Sequence, residues 1–572
     1  MNDSWNLRNP DNKIVELFSS KLDISAMLST FLVNRKVSNL VEADIFLNPN
    51  LDKLPNPFLL KGMTKTIDRI IAAIDSSEKI VVYGDFDCDG VTSTTILYSF
   101  LKSVDANIEF YIPERIEEGY GINFESIKNL AKNGTRLIIS TDCGISENEL
   151  VENCKELDLD FLITDHHTVP EIEPDSYSIV NPKQKGCEYP FKEICAAGVV
   201  FNIIMALRHK MREGGYFEFI EEPNLARYLD LVAIGTIADS MPILGVNRIF
   251  VHNGLKEIPK TKRLGLQALL KKDKSVYTAR DVSFGIAPKI NATGRVGKAS
   301  NAVRLLIESE KANVDSLLAI IDQDNKKRRI IQDDVTEQAL IQAEAKIKEN
   351  PNINSLVLSS TGWHPGVIGI VASKMVEKFH RPCAVISING DLGKGSLRTS
   401  NNINLFEVLK NCDSSLIQFG GHAGAAGITI NLDQIDKFKG LFEDTIEDYD
   451  YNFSETLDVD MEISFSEINN EFFKDIERIE PFGKENHPPV FLSSSVEVVS
   501  VNILKDKHLE IDLVDKNTKR RALWFFYNKD ILKGQNPNTL VGKMINVLYT
   551  IQKDTYNGNT SITLVIRDLT EA

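Results

Sequence analysis

Residues 79–90 read KIVVYGDFDCDG, a short apolar run that breaks into three aspartates at alternate positions. A Val- and Ile-rich run of this length, charged only at its first residue, makes a buried strand. The polar DFDCDG reads as a loop and residues 92–103 as a helix. Residues 107–113, 136–142, 161–165 and 177–181 are further β-rich runs, several of them separated by helical stretches, as in a parallel sheet with helices on its faces. Residues 225–238 close this region as an apolar helix.

The rest of the chain is arranged around that sheet. Residues 1–60 are short helical pieces punctuated by LDKLPNPF and read as an N-terminal appendage; the β/α region covers 61–260. Residues 299–350 contain neither Gly nor Pro, and their apolar residues recur at helical spacing (Val303, Leu306, Ile307; Leu317, Leu318, Ile321). One or two long helices are expected there, within a connecting region 261–350. Residues 351–453 form a smaller α/β unit, with strands at 355–360 and 383–388 and a helix at 367–379. From residue 454 the pattern changes to short β runs at 496–504, 508–513, 522–526, 543–551 and 561–566, which suggest a small barrel of the OB type. The expected fold class is α/β: two α/β lobes joined by long helices, plus a C-terminal OB-like β-barrel.

Composition narrows the function. The 572 residues are 42% hydrophobic and 26% charged, which excludes disorder, collagen and coiled coil. At about 150 residues per domain the chain holds three or four domains and needs no staples. The longest apolar stretch, residues 194–207, is interrupted by Asn202 and falls short of the roughly 20 residues of a membrane span. The polar start MNDSWNLRNPDNK has no signal-peptide core, and the seven cysteines include no CxxC pair. A reduced, cytoplasmic protein is expected. The net charge of −16, from 65 basic and 81 acidic residues, counts against a protein that coats nucleic acid. A basic track can still coexist with an acidic body, and carboxylates gathered around a cation add to the same sum.

The densest chemistry lies at the strand ends. Asp85, Asp87 and Asp89 follow the first strand; Asp142 follows 136–141; Asp165, His166 and His167 follow 161–164; Asp239 follows the apolar helix. In an open α/β sheet these C-terminal ends share one edge. A single aspartate after a strand is commonly a turn residue, but four such sites are hard to attribute to turns. Carboxylates this dense need a countercharge, and oxygen ligands with one or two imidazoles suit Mn²⁺ or Mg²⁺ better than zinc. Five or six aspartates and two histidines can hold two ions, the arrangement suited to phosphoryl displacement.

Four segments, VVYGDFDCDGVTST, STDCG, TDHH and GTIADSMP, resemble in order the four motifs of the DHH phosphoesterase family. GWHPGVIGIVASK, GKGSLRTS and QFGGHAGAAG resemble the family's associated domain, and PFGKENHPPVF resembles the segment that introduces the barrel of its larger nucleases. The likeness is co-linear from about Asn34 to the C-terminus. It implies a 5′→3′ exonuclease specific for single-stranded DNA, working in repair and recombination with two Mn²⁺ or Mg²⁺ ions. It implies Asp87, Asp89, Asp142, His166 and Asp239 as metal ligands, Asp142 as the bridge and Asp85 as an inner or outer ligand. Asp165 would orient His166, and His167 would contact the scissile phosphate. No motif position is substituted. Other readings are a DHH phosphodiesterase of short oligonucleotides or cyclic dinucleotides, a non-catalytic replication scaffold, and a pyrophosphatase.

For the substrate, Gly420, Gly421 and the glycines after His422 permit close backbone approach to a phosphate, or simply turn the chain into a strand. His422 resembles the family histidine near the reacting phosphate. Ser396 and Arg398 resemble the pair that holds a 5′-terminal phosphate, a bidentate grip that would start digestion at an end. Arg115, Arg295, Asn325 and Arg329 resemble strand-contacting positions, and His364 falls in the same motifs. Trp363 is a stacking surface or a packed aromatic. In the barrel, Lys505, Lys507, His508, Lys519, Arg520 and Arg521 lie near Trp524, Phe525, Phe526 and Tyr527, a composition that suits a single-strand groove if two of the aromatics pack inward. Single-strand binding protein and a RecQ-type helicase are the partners the resemblance implies, with the chain itself a monomer and no membrane involved.

Overall fold

The computed structural model describes residues 5–114, 121–271, 274–399, 403–449, 456–505, 507–527, 536–556 and 559–572. The chain divides into two compact units. One comprises Pro55–Met241 and Asn253–Glu455; the other comprises Met1–Leu54, Pro242–His252 and Thr456–Ala572.

The larger unit contains a parallel sheet of β1 (Lys79–Gly84), β2 (Ile108–Tyr111), β3 (Thr135–Thr141), β4 (Asp160–Thr164) and β5 (Ser178–Val180), in the order β2-β1-β3-β4-β5. Every residue of β1 from Ile80 onward is buried, as expected of a strand covered on both faces. The strand order reverses beside β1, where open α/β sheets form crevices. Helix α1 (Cys88–Ser103) starts four residues earlier than the polar DFDCDG suggests. The Asp87 side chain accepts the N–H groups of Asp89 (2.9 Å) and Gly90 (3.0 Å), so this aspartate is a helix cap and the loop is correspondingly short. Helices α2 (Ala196–Glu213) and α3 (Leu229–Ala238) pack against α1, and α3 is preceded by a 3-10 turn at Leu225–Tyr228.

Helix α4 (Ala287–Val296) is followed by two helices in the Gly- and Pro-free stretch, α5 (Ser300–Ile307) and α6 (Lys311–Glu349). The break falls at Glu308, whose carboxylate accepts the N–H groups of Ser309 and Glu310 in place of helical partners. A second sheet, β6 (Leu356–Thr361), β7 (Cys383–Asn389), β8 (Leu392–Arg398), β9 (Gln418–His422) and β10 (Ala425–Asn431), has the order β9-β10-β8-β7-β6, with α7 (Ile368–Phe379) between its first two strands. The Gly-rich run is a β-hairpin, with Gly420 opposite Gly427 and His422 opposite Ala425.

The smaller unit is built on a barrel of β11 (Phe491–Leu504), β12 (His508–Asp515), β13 (Thr518–Phe525), β14 (Met544–Tyr556) and β15 (Asn559–Glu571). The order β11-β12-β13-β15-β14 closes through β11–β14 pairing. Alternation along β12 sends Leu509, Ile511 and Leu513 inward. Phe18, Leu28, Phe31 and Phe46 belong to the same core as Val496, Ile511 and Val547, so the opening residues fold with the barrel. Short helices of this kind cannot bury their apolar faces alone. Fully buried Arg248 donates to the carbonyls of Phe46 (2.6 Å), Ile479 (3.1 Å), Arg478 (3.1 Å) and Glu480 (2.7 Å), stitching three segments together. No helix among the described residues is long and apolar enough to cross a membrane.

Candidate metal centre

Sheet register brings the acidic residues together. Gly84 lies opposite Thr141, and Thr141 opposite Thr164. The next residues, Asp85, Asp142 and Asp165, therefore leave the sheet side by side, each donating its N–H to the neighbouring strand or its continuation. Asp142 does so with a φ of 67°, a left-handed conformation uncommon outside glycine and found where local geometry serves a site. Asp87 and Asp89 come from the start of α1, and Asp239 caps the end of α3.

His166 Nε2 lies 3.1 Å from Asp142, 3.6 Å from Asp239 and 3.8 Å from Asp89. Asp85, Asp87 and Asp142 form a second group whose ligand atoms lie within 4.8 Å of one another. Asp142 thus stands between two candidate ion positions. An octahedral ion with bonds of about 2.0–2.1 Å places adjacent ligands about 3 Å apart and opposite ones about 4 Å apart. The spacings around His166 fit that range.

The electrostatics call for cations. Burial, and then Asp89, Asp87, Asp85 and Asp239, push the Asp142 carboxyl well above its usual range. Burial and Asp87 lift Asp89 to about 6, against the pull of the Ala197 and Ala196 N–H groups and the Cys195 thiol. Burial and neighbouring His167 lower His166 to about 3, which leaves a neutral imidazole facing three carboxylates. Its Nδ1 is buried and has no hydrogen-bond partner among the described residues. Burial also opposes charge on His167, but its bond to Asp165 and the fields of Asp165, Asp239 and Asp85 outweigh it and raise the group to about 9. Burial alone would raise Asp165; His167 and His166 hold it well below the usual carboxylate range. One imidazolium against six carboxylates leaves a deficit that paired divalent ions would fill.

Sequence reasoning missed several supports of this centre. The first N–H groups of α2, from Ala196 and Ala197, donate to Asp89 at 2.6 and 3.0 Å. Asn291 accepts the Cys88 N–H at 2.9 Å. Asp165 bonds His167 Nδ1 at 2.7 Å and accepts the N–H groups of Ile145, His166 and His167, so its ring partner is His167 and not the expected His166. The run of small residues at 195–198 was the one available hint; nothing distinguished Asn291.

The expected substrate residues fall into smaller groups. Arg295 Nη1 donates to the Gly366 carbonyl at 3.0 Å, and His364 Nδ1 accepts the Gly366 N–H at 3.0 Å. Ser396 Oγ lies 3.0 Å from Arg398 Nη1. A Cβ on Gly369, in the first turn of α7, would lie 3.0 Å from Ser396 Oγ and 3.1 Å from Arg398 Nη2. Hydroxyl, guanidinium and helix N-terminus therefore converge, a chemistry that holds phosphate. Gly420, Gly421 and His422 are exposed on the hairpin whose β10 pairs Gly427 with Ser396 and Ala425 with Arg398. Asn325 is buried on α6 and accepts from Arg328, while Arg329 is exposed. Arg115 lies outside the described residues.

Trp363 is 3% exposed and donates to Gln338 at 2.9 Å, so it is packed and offers no stacking face. In the barrel Trp524 points inward and Tyr527 packs on the core, whereas Phe525 and Phe526 are exposed beside His508. The basic cluster there is partly spent internally: Lys519 pairs with Asp512, Arg521 with Glu510, and Arg520 donates to the carbonyls of Phe465 and Ile468.

The fold and this acidic edge define a DHH-type phosphoesterase. The sequence model of the DHH family, N-terminal domain, matches residues 79–236, the DHHA1 domain matches 352–448, and the RecJ OB domain matches 459–568. The single-stranded-DNA-specific exonuclease RecJ of Bacillus subtilis is 34% identical over 573 residues, covering 99% of this chain and 70% of the relative. RecJ from Thermus thermophilus in complex with Mn²⁺ superposes with a TM-score of 0.85 at 26% identity, covering 100% of this chain and 80% of that one. The same protein in complex with Mg²⁺ gives 0.79 at 25% identity, covering 100% and 79%. The chain belongs to the RecJ family.

Proposed function

We propose that this chain is a Mn²⁺- or Mg²⁺-dependent exonuclease that hydrolyses single-stranded DNA from the 5′ end to mononucleotides. The observation that carries the reading is the convergence of Asp85, Asp87, Asp89, Asp142, His166 and Asp239 on one sheet edge, with Asp142 shared between two groups. Asp87, Asp89, Asp142, His166 and Asp239 would hold the ions, with Asp85 beside them. Bound there, divalent ions would supply positive charge to a phosphodiester and lower the pKa of a water. His167, charged and held by Asp165, would contact the scissile phosphate and can pass its proton to the leaving oxygen. Ser396 and Arg398 would receive the 5′-terminal phosphate, with Gly420, Gly421 and His422 at the phosphate that reacts. Arg115, Arg295, Asn325, Arg329 and His364 would follow the strand.

A division of labour along the chain goes with this reading: residues 61–260 for catalysis, apart from Pro242–His252, which fold with the smaller unit, 351–453 for the terminal phosphate and 454–572 for the incoming strand, with 261–350 connecting. The opening residues, expected as an appendage over 1–60, would serve the barrel whose core they share. Family membership supports single-strand binding protein and a RecQ-type helicase as partners of a monomeric, cytoplasmic enzyme. Digestion of 5′-labelled and 3′-labelled single strands with Mn²⁺ tests the activity and its polarity. Loss of label as mononucleotide from the 5′ end first, and its absence in Asp142→Ala, is the expected result. A preference for dinucleotides over long strands would favour the oligonucleotide phosphodiesterase reading instead.

A further inference from the structure

A glycine stands between two of the expected ligands, Asp89 and Asp239. Gly235 lies one helical turn before Asp239 on α3, and its carbonyl accepts the Asp239 N–H at 2.9 Å. A Cβ at Gly235 would lie 2.5 Å from Thr92 Oγ1, 2.6 Å from Asp89 Oδ1 and 2.9 Å from Ala197 Cβ. All three are closer than real Cβ contacts, so the bare Cα is what lets α3 rest directly on the Asp89 carboxylate. Asp89 has little freedom to retreat: Ala196 and Ala197 N–H groups hold its two oxygens, and the side chain is buried. Thr92 is tied by its hydroxyl to the Cys88 carbonyl at 2.9 Å. With one wall of the site pinned, the approach of α3 fixes the gap between Asp89 and Asp239, the pair that faces His166 Nε2 at 3.8 and 3.6 Å.

We propose that the glycine contact at residue 235 sets the width of this ion position and thereby its selectivity by cation size. The inference rests on reading Asp89 and Asp239 as ligands of one ion. Mg²⁺ demands short bonds of about 2.0–2.1 Å in near-ideal geometry, whereas larger cations tolerate longer and more varied ones. A side chain wedged between α3 and Asp89 widens the gap, so it penalises Mg²⁺ more than the larger Mn²⁺. Gly235 is a positioning residue in this account and has no contact with substrate.

The test is calorimetric titration of the metal-stripped, full-length protein with Mg²⁺ and with Mn²⁺. Gly235→Ala is expected to raise the ratio of the Mg²⁺ to the Mn²⁺ dissociation constant by roughly ten-fold or more, the scale of changes just outside a metal's ligands. Thr92→Val places a methyl group where the hydroxyl now meets Gly235; this gentler wedge should move the ratio the same way by less, and it gives the answer if Gly235→Ala fails to fold. Gly254→Ala is the matched control. Its Cβ would press on the far end of α3, 2.2 Å from the Leu229 carbonyl oxygen and 2.5 Å from Ala233 Cβ, so stability should fall with the ratio unchanged. Equal ratios in the parent and both folded wedge variants, or an equal shift in the Gly254→Ala control, overturn the proposal. Failure of the parent to bind either ion overturns instead the metal reading on which it stands.

Discussion

His167 Nδ1 lies 2.7 Å from Asp165 Oδ1, and the same carboxylate oxygen accepts the backbone N–H groups of His166 and His167. The aspartate thus fixes both the position and the charge of the ring. Asp165→Asn keeps the shape but cannot stabilise an imidazolium. Single-turnover hydrolysis of a single strand should fall by about 10²–10⁴-fold, the usual contribution of a positioned acid. Mn²⁺ affinity, read by calorimetry, should change far less.

Asp142 is destabilising while no cation faces it, because a buried carboxylate among carboxylates resists ionisation. Asp142→Asn should therefore raise the melting temperature of the metal-stripped protein and abolish most of the stabilisation that Mn²⁺ gives the parent. Thermal unfolding with and without Mn²⁺ reads both effects. A variant less stable than the parent in the stripped state contradicts the account.

The pH dependence of the stripped protein follows from Asp89, raised from 3.8 to about 6. Between those values the folded state binds more protons than the unfolded one, so this group's contribution is full at low pH and is lost as pH rises through about 6. Bound ions must displace that proton in acid and need not above it. The gain in melting temperature on adding Mn²⁺ should be markedly larger near pH 7.5 than near pH 5.

Arg398 offers a planar fork beside Ser396 at the start of α7. Arg398→Lys keeps the charge and loses the fork. The preference for 5′-phosphorylated over 5′-hydroxyl single strands should drop by about ten-fold, the size of one charge-assisted bond, with little change on the hydroxyl substrate. Parallel rate measurements on the two substrates check it.

Arg248→Met tests the smaller unit. The substitution leaves four carbonyls in a buried setting without their donor. Stability of that unit should fall by about 2–4 kcal/mol, read by denaturant unfolding, with the metal affinity of the other unit unchanged.

Much of this architecture is written in local patterns. KIVVYG could hardly be other than a buried strand, and aspartates after successive strands of a parallel sheet must share an edge, so the carboxylate cluster was legible before any coordinates. What stayed hidden depends on contacts between distant segments. That Asp87 caps a helix was obscured because a cap and a polar loop have the same composition. Ala196, Ala197 and Gly235 act through backbone N–H groups and a missing side chain; small residues hint at close approach but do not say which distant carboxylate comes near. Asp165 was expected to steady His166, but the ring within its reach is that of the next residue. Trp363 beside His364 carried no sign of whether its ring faced core or solvent; burial settled it.

The smaller unit draws its interior from segments that lie far apart in the sequence, on either side of the other unit. During synthesis the N-terminal helices must wait, with Phe18, Phe31 and Phe46 uncovered, while several hundred residues of the other unit emerge and fold. Their docking surface arrives only with the barrel strands. A break anywhere in the intervening chain would leave both halves with an unfinished interior, so a limited cut could disable the barrel without touching a single one of its strands.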